Sequence, residues 1–217
     1  MPIDGPVLTD TRDMIALHDA FKRALRDAPS QIASVVDGDT LRARRFGDYL
    51  GEVLWLLHAH HEAEDELLYP LLSERAPEDR GLFSRMEGQH AALTSSTQAV
   101  EGATGRFGTS GSAVDGRALA KASESLRDTL TEHLDEEEEA VLPIAARCVS
   151  PPEWGRCRRT RFRTTPARGC GCPSDLCWRR CRTTYARTCW RTFPRRCRTC
   201  GSAAFASEMA LVRQGAA

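Results

Sequence analysis

The sequence predicts an all-α fold, an up-down antiparallel four-helix bundle, on three observations. Four stretches within residues 10–147 carry apolar residues at the three- and four-residue spacing of a helix that faces a core. Short stretches bearing Pro, Gly and Asp separate them and supply stop and start signals. Ala, Leu, Glu and Arg dominate while aromatics make up only 6% of the chain, a composition that favours helix. Four long helices joined by loops bury their apolar stripes against one another.

The first helix is expected from about Asp13 to Asp27, with Ile15, Leu17, His18, Phe21 and Leu25 near one stripe and Pro29 just beyond its end. Asp37-Gly38-Asp39-Thr40 reads as a loop with a ready N-cap. The second helix then runs from about Leu41 to Ser73, and Pro70 is expected to kink or end it. Its inner face carries Phe46, Leu50, Val53, Leu54, Leu57, His61, Glu64 and Leu68. Pro77-Glu78-Asp79 opens the third helix, which carries Leu82, Phe83, Met86, His90 and Leu93. Gly102, Gly105, Gly108, Gly111 and Gly116 mark the run between them as a flexible loop. The fourth helix starts near Asp115 and continues through Leu119, Leu126, Leu130, His133, Glu137 and Val141.

One pattern occurs twice. His60 to Pro70 aligns without gaps to His133 to Pro143, and both read H-x-x-x-E-[D/E]-x-x-x-x-P. A residue four positions on is rotated only about 40° around a helix, so His60 shares a face with Glu64, and His133 with Glu137. His61 is the i−3 neighbour of Glu64 and reaches the same cavity. His18 on the first helix and His90 on the third supply imidazoles from the remaining sides. A lone histidine on an apolar face is ordinarily a satisfied core residue, and an acidic run such as Glu136 to Glu139 is ordinarily a solvated face; Glu136 and Glu139 are read that way. Five of the six histidines, however, fall where they can converge with two carboxylates. His58 faces away. Mixed imidazole and carboxylate ligation suits iron, manganese or zinc, and carboxylates able to bridge suit two metals close together.

His18, His60-His61-x-x-Glu64, His90 and His133-x-x-x-Glu137 together resemble the hemerythrin-like (HHE cation-binding) domain over roughly residues 10–146. The resemblance implies an up-down four-helix bundle around two iron ions joined by an oxo or hydroxo bridge. It further implies Glu64 and Glu137 as carboxylates bridging the irons, His60 and His133 as terminal ligands, and His18 and His90 each capping one iron. The sequence departs from the family's oxygen carriers at Thr94, where they place a second histidine one turn after the third-helix ligand; His61 is positioned to supply that nitrogen. The expected metal ligands are therefore His18, His60, His61, Glu64, His90, His133 and Glu137.

A net charge of zero conceals a division. Residues 1–146 hold 14 Lys/Arg against 27 Asp/Glu, whereas residues 147–200 hold 15 Arg against Glu153 and Asp175. All nine cysteines lie between Cys148 and Cys200. Residues 148–200 thus form a separate Cys/Arg-rich segment, with Val149 and Leu176 its only branched aliphatics, and it is expected to be disordered for want of a core. It has no histidine and no paired C-x-x-C set, which argues against zinc, so a zinc- or nucleic-acid-binding role through this segment ranks behind the metal centre. With 28 Arg to 2 Lys, the chain has the signature of a GC-rich gene, and a compensated frameshift across about 156–200 explains a stretch rich in Cys, Trp, Arg and Thr. Residues 201–217 regain amphipathic spacing and are expected to form a short C-terminal helix. The N-terminus lacks signal-peptide character and no stretch is long and apolar enough to span a membrane, so the expectation is a soluble cytoplasmic protein.

The function expected is that of a di-iron protein that binds or senses O₂, NO or a peroxide. A centre rich in imidazole and poor in carboxylate activates O₂ less readily than a carboxylate-rich one, which favours binding over hydroxylation. A di-iron enzyme reducing peroxide or NO is the alternative. The sequence names no redox partner.

Overall fold

The computed structural model describes residues 9–163, with side chains to Cys157, and every regular element among them is helical. The four long helices are α1 (Arg12–Ala33), α2 (Thr40–Ala63), α4 (Arg80–Ser110) and α5 (Ala113–Glu136). Three shorter ones follow or join them: α3 (Tyr69–Arg75), α6 (Leu142–Cys148) and α7 (Pro151–Arg163). The long helices close a ring in which α1 packs on α2 and α5, and α4 packs on α2 and α5.

Their ends differ from the sequence expectation for identifiable reasons. Helix α1 continues through Pro29 for another turn, because Ile32 lies one turn on and is buried in the core. Tertiary burial there outweighs the missing backbone donor. The expected glycine loop is mostly helix. Residues 102–110 complete α4, whose buried face includes Val100, Ala103 and Phe107 at helical spacing. Glycine has a use at this crossing: a Cβ on Gly47 of α2 would sit 3.1 Å from Thr104 Cγ2 of α4. The joint itself is only Gly111 and Ser112, so α5 folds straight back along α4. Gly111 takes φ 61° to end α4, and a Cβ there would meet the backbone of Thr40 at 2.8 Å, which excludes any other residue. Asp39 caps α2 as expected, accepting the Arg42 N–H at 3.0 Å.

The two repeated segments each contain a π-turn, at Glu64–Leu68 and Glu137–Val141. In an α-helix the ring of Pro70 or Pro143 would collide with the carbonyl four residues back. One widened turn removes the conflict and lets α3 and α6 carry on the line of α2 and α5. Tyr69 N–H and Leu142 N–H accordingly bond five residues back, to the carbonyls of Glu64 and Glu137.

Two apolar clusters stack along the bundle. One includes Leu17, Phe21, Leu57, Leu93, Leu130 and Leu134; the other includes Met14, Leu68, Tyr69, Phe83, Met86 and Val141. The second also takes in Cys148, Val149, Trp154 and Cys157, which corrects the expectation that the chain lacks a core from residue 148 onward. Trp and Cys bury apolar surface as aliphatics do. Helix α7 is fastened by Arg75, which donates to the Cys148 carbonyl at 2.7 Å and forks onto Glu153 at 2.7 and 2.8 Å, and by Trp154 Nε1, which donates to Asp13 at 3.0 Å. The rest of the 148–200 segment, including its expected disorder and frameshift, lies outside the described residues, as does the C-terminal helix expected over 201–217. No described helix is long and apolar enough to cross a membrane.

Candidate metal centre

In each long helix the histidines and glutamates fall between residues of the two apolar clusters. His18 follows Met14 and precedes Phe21; His60, His61 and Glu64 sit between Leu57 and Leu68. His90 lies between Met86 and Leu93, and His133 and Glu137 between Leu130 and Val141. The result is one polar layer inside an apolar bundle. All seven residues expected from the sequence are in it, each between 0 and 7% exposed.

The seven converge as two groups, each offering donor atoms within 4.8 Å of one another: His18, His60, Glu64 and Glu137, and His61, His90 and His133. Glu64 reaches both. Its Oε1 lies 3.0 Å from Nδ1 of His60 and its Oε2 3.8 Å from Nε2 of His90. Glu137 Oε2 lies 3.5 Å from Nε2 of His18. His61 stacks on His90 with ring centroids 4.2 Å apart and meets His133 edge-on at 5.2 Å. His58 is where the sequence placed it, outside the layer, 60% exposed and paired with Glu62 at 3.1 Å.

A set of residues behind the ligands fixes which nitrogen of His18, His90 and His133 points inward. His18 Nδ1 donates to Glu138 at 3.0 Å, and Lys22 braces the same Glu138 oxygen at 3.0 Å. His90 Nδ1 donates to Asp65 at 2.7 Å. His133 Nδ1 donates to Gln89 Oε1 at 2.8 Å; the amide is oriented by its own donation to Glu136 at 2.7 Å, and Arg85 holds Glu136 in turn. With Nδ1 carrying the hydrogen, a neutral ring directs a lone pair inward from Nε2. Two pairs of Nε2 atoms face each other at 3.1 Å, His18 with His60 and His90 with His133.

Facing lone pairs repel unless something electron-deficient lies between them. A proton satisfies one pair, but convergence of five imidazoles and two buried carboxylates is the donor chemistry of bound metal ions. Charge argues the same way, since ionised carboxylates out of contact with water are costly without compensating positive charge. Burial pushes His61 well below its usual pKa, with nearby histidines adding to the effect, and pushes His133 down to about 3. Both rings are therefore neutral near pH 7 and able to act as ligands. Burial, then Glu137 and Glu64, raise the Tyr69 phenol well above 10.

Sequence reasoning missed Asp65, Gln89, Glu138 and Tyr69, and it took Glu136 for a solvated side chain. A signal existed for two of them. Asp65 and Glu138 occupy the same position of the repeat, directly after the buried glutamate, and each holds the capping histidine of one half. Thr94 turns its hydroxyl to the His90 carbonyl at 3.0 Å.

No curated protein and no solved structure matches the chain. The model of the hemerythrin HHE cation-binding domain matches residues 9–145, which spans all seven converging side chains, and the chain belongs to that family.

Proposed function

We propose that the layer holds two iron ions and that the centre binds or senses O₂, NO or a peroxide. His18 and His60 would hold one ion and His61, His90 and His133 the other, with Glu64 and Glu137 shared between them. The observation that carries the reading is the inward aim of the histidine nitrogens, each pair 3.1 Å apart, with outward nitrogens already engaged on three of the four rings. The unequal histidine count supports a centre with one ion more open to an incoming ligand than the other. When bound, the iron pair supplies reversible redox and ligand-binding chemistry that no side chain of the layer has. The protein's part is to keep His61 and His133 neutral by burial and to exclude bulk water with the apolar clusters on either side. Glu138, Asp65 and Gln89 hold the rings in place.

Purified chain analysed for metal and visible absorption in air is expected to contain about two iron per chain and to show ferric charge-transfer bands. A stable, helical product that takes up no iron when supplied with it refutes the reading.

A further inference from the structure

The three histidines whose outward nitrogens are engaged differ in the charge of the group that holds them. His133 Nδ1 donates to a neutral amide, Gln89, at 2.8 Å. His90 Nδ1 donates to the Asp65 carboxylate at 2.7 Å, and no Lys or Arg among the described residues pairs with Asp65. His18 Nδ1 donates to the Glu138 carboxylate at 3.0 Å, and there the carboxylate is shared. Lys22 Nζ lies 3.0 Å from the same oxygen and 2.5 Å from Asp135. Asp65 and Glu138 hold matching places in the repeat, so Lys22 is what makes them unequal.

Lys22 stands one turn after His18 on α1, so both side chains reach across to Glu138 beyond the end of α5. Its side chain and that of Glu138 are each 22% exposed, so water and salt screen the pair only in part. It is one of two lysines in a chain with 28 arginines, and an ammonium is a compact charge that can sit against a carboxylate oxygen already taken by an imidazole. A carboxylate that accepts an imidazole N–H makes the ring a stronger donor through its other nitrogen. An ammonium on the same oxygen draws that negative charge to itself and weakens the effect. The longer hydrogen bond at His18, 3.0 Å against 2.7 Å at His90, agrees. A stronger donor favours the higher charge state of a bound metal, so the ring held by Asp65 favours ferric iron more than the ring held by Glu138 and Lys22.

We propose that Lys22 is a positioning residue that, through Glu138 and His18, makes the ion held by His18 and His60 the more readily reduced of the two. The proposal rests on the di-iron reading above. Reduction of either ion is one electron taken by ferric iron from an external donor such as dithionite, giving ferrous iron. No bond within the protein breaks, and Lys22 and the Nδ1–H groups keep their protons.

The iron-loaded full chain and its variants are titrated with dithionite and redox mediators without air and followed by visible absorption. The wild type is expected to reduce in two resolved one-electron steps. Lys22→Gln should keep its helicity and about two iron per chain, but its higher-potential step should lose about tenfold in ferrous-over-ferric preference, or about 59 mV for one electron. The lower step should move less. Lys22→Arg keeps the charge and should restore most of that loss. An unmoved higher step, equal shifts of both steps, or equal effects of Gln and Arg overturn the proposal and leave Lys22 as a tether between α1 and the Asp135–Glu138 run. A wild type that holds two iron but reduces in a single step overturns it as well, while the iron reading survives; failure to load iron sinks both. Should Lys22→Gln fail to fold or load, Asp65→Asn decides. It removes the carboxylate on the other half, so the two steps should draw together, and an unchanged gap refutes the proposal.

Discussion

The segments His60–Pro70 and His133–Pro143 share a backbone course but not a chemistry. Both place a histidine and a glutamate on one face, both widen into a π-turn ahead of a proline, and both follow the glutamate with a carboxylate that holds a histidine of another helix. Within that common frame the first segment has His61 and Tyr69 where the second has Leu134 and Leu142. The shared positions build a cavity for two ions; among the positions that differ, these two make its sides unequal. Local backbone rules thus generate the symmetry, and side chains such as His61 and Tyr69 break it inside the layer.

Removing what the halves hold in common should have the largest effect. Glu64→Ala or Glu137→Ala is expected to empty both ions, because each carboxylate is proposed to serve both sides. Iron per chain should fall from about two to near zero in either variant. Loss of a single iron from either one would mean that the halves are independent sites. Next in size is the response of the metal-free chain to acid. His61 and His133 have pKa values depressed in the folded state, so the unfolded chain binds more protons below about pH 6.5. Their contribution to stability is complete above that pH and declines as pH falls from there towards their depressed values, about 3 for His133, at roughly 1.4 kcal/mol per pH unit for each ring. Denaturant midpoints of the metal-free chain should therefore decrease from pH 7 to pH 4; midpoints that do not change over that range would refute the depression of these two rings.

Making the halves alike is a finer intervention. His61→Leu copies Leu134 into the first segment and is expected to weaken one of the two ions by more than about 100-fold in chelator competition, while the other is retained. Gln89→Ala, which frees the His133 ring to rotate, should weaken metal binding by about 10- to 100-fold without abolishing it. Identical affinities in wild type and Gln89→Ala would show that the Arg85–Glu136–Gln89 chain does not orient the ring.

The bundle was legible in the sequence because apolar period and helix caps are local signals. Asp39 announces α2 by itself, and Leu50, Val53, Leu54 and Leu57 announce which face is buried. The ligands were legible for the same reason, since His60 with Glu64 and His133 with Glu137 share faces by spacing alone. What spacing does not contain is the neighbour on another helix. Nothing near residue 89 in the chain announces that Gln89 will meet His133, and nothing in the run Asp135 to Glu139 announces that Lys22 will meet Glu138. Glycine misled the reading of residues 102–110 because a helix-weakening residue, worth up to about 1 kcal/mol against Ala, is tolerated where Val100, Ala103 and Phe107 bury the helix against the core. Trp154 and Cys157 misled it further on, since their burial against the bundle end depends on Arg75 and Asp13 far back in the chain.

The smallest expected effect tests the face assignment on α2, on which the comparison of halves depends. His58, His60 and His61 lie within one turn, so composition alone does not say which of them belong to the metal layer. Rotation does: His58 is about 200° from His60 at 100° per residue, and it is exposed beside Glu62, while His60 and His61 are buried. An exposed i,i+4 pair of this kind contributes at most about 0.5 kcal/mol. His58→Ala should therefore leave iron content and visible spectrum unchanged and shift the thermal midpoint by no more than a degree or two. Loss of iron from His58→Ala equal to that from Glu64→Ala would mean that α2 presents a different face to the ions, and the assignment of His61 as the residue that makes the halves unequal would fall with it.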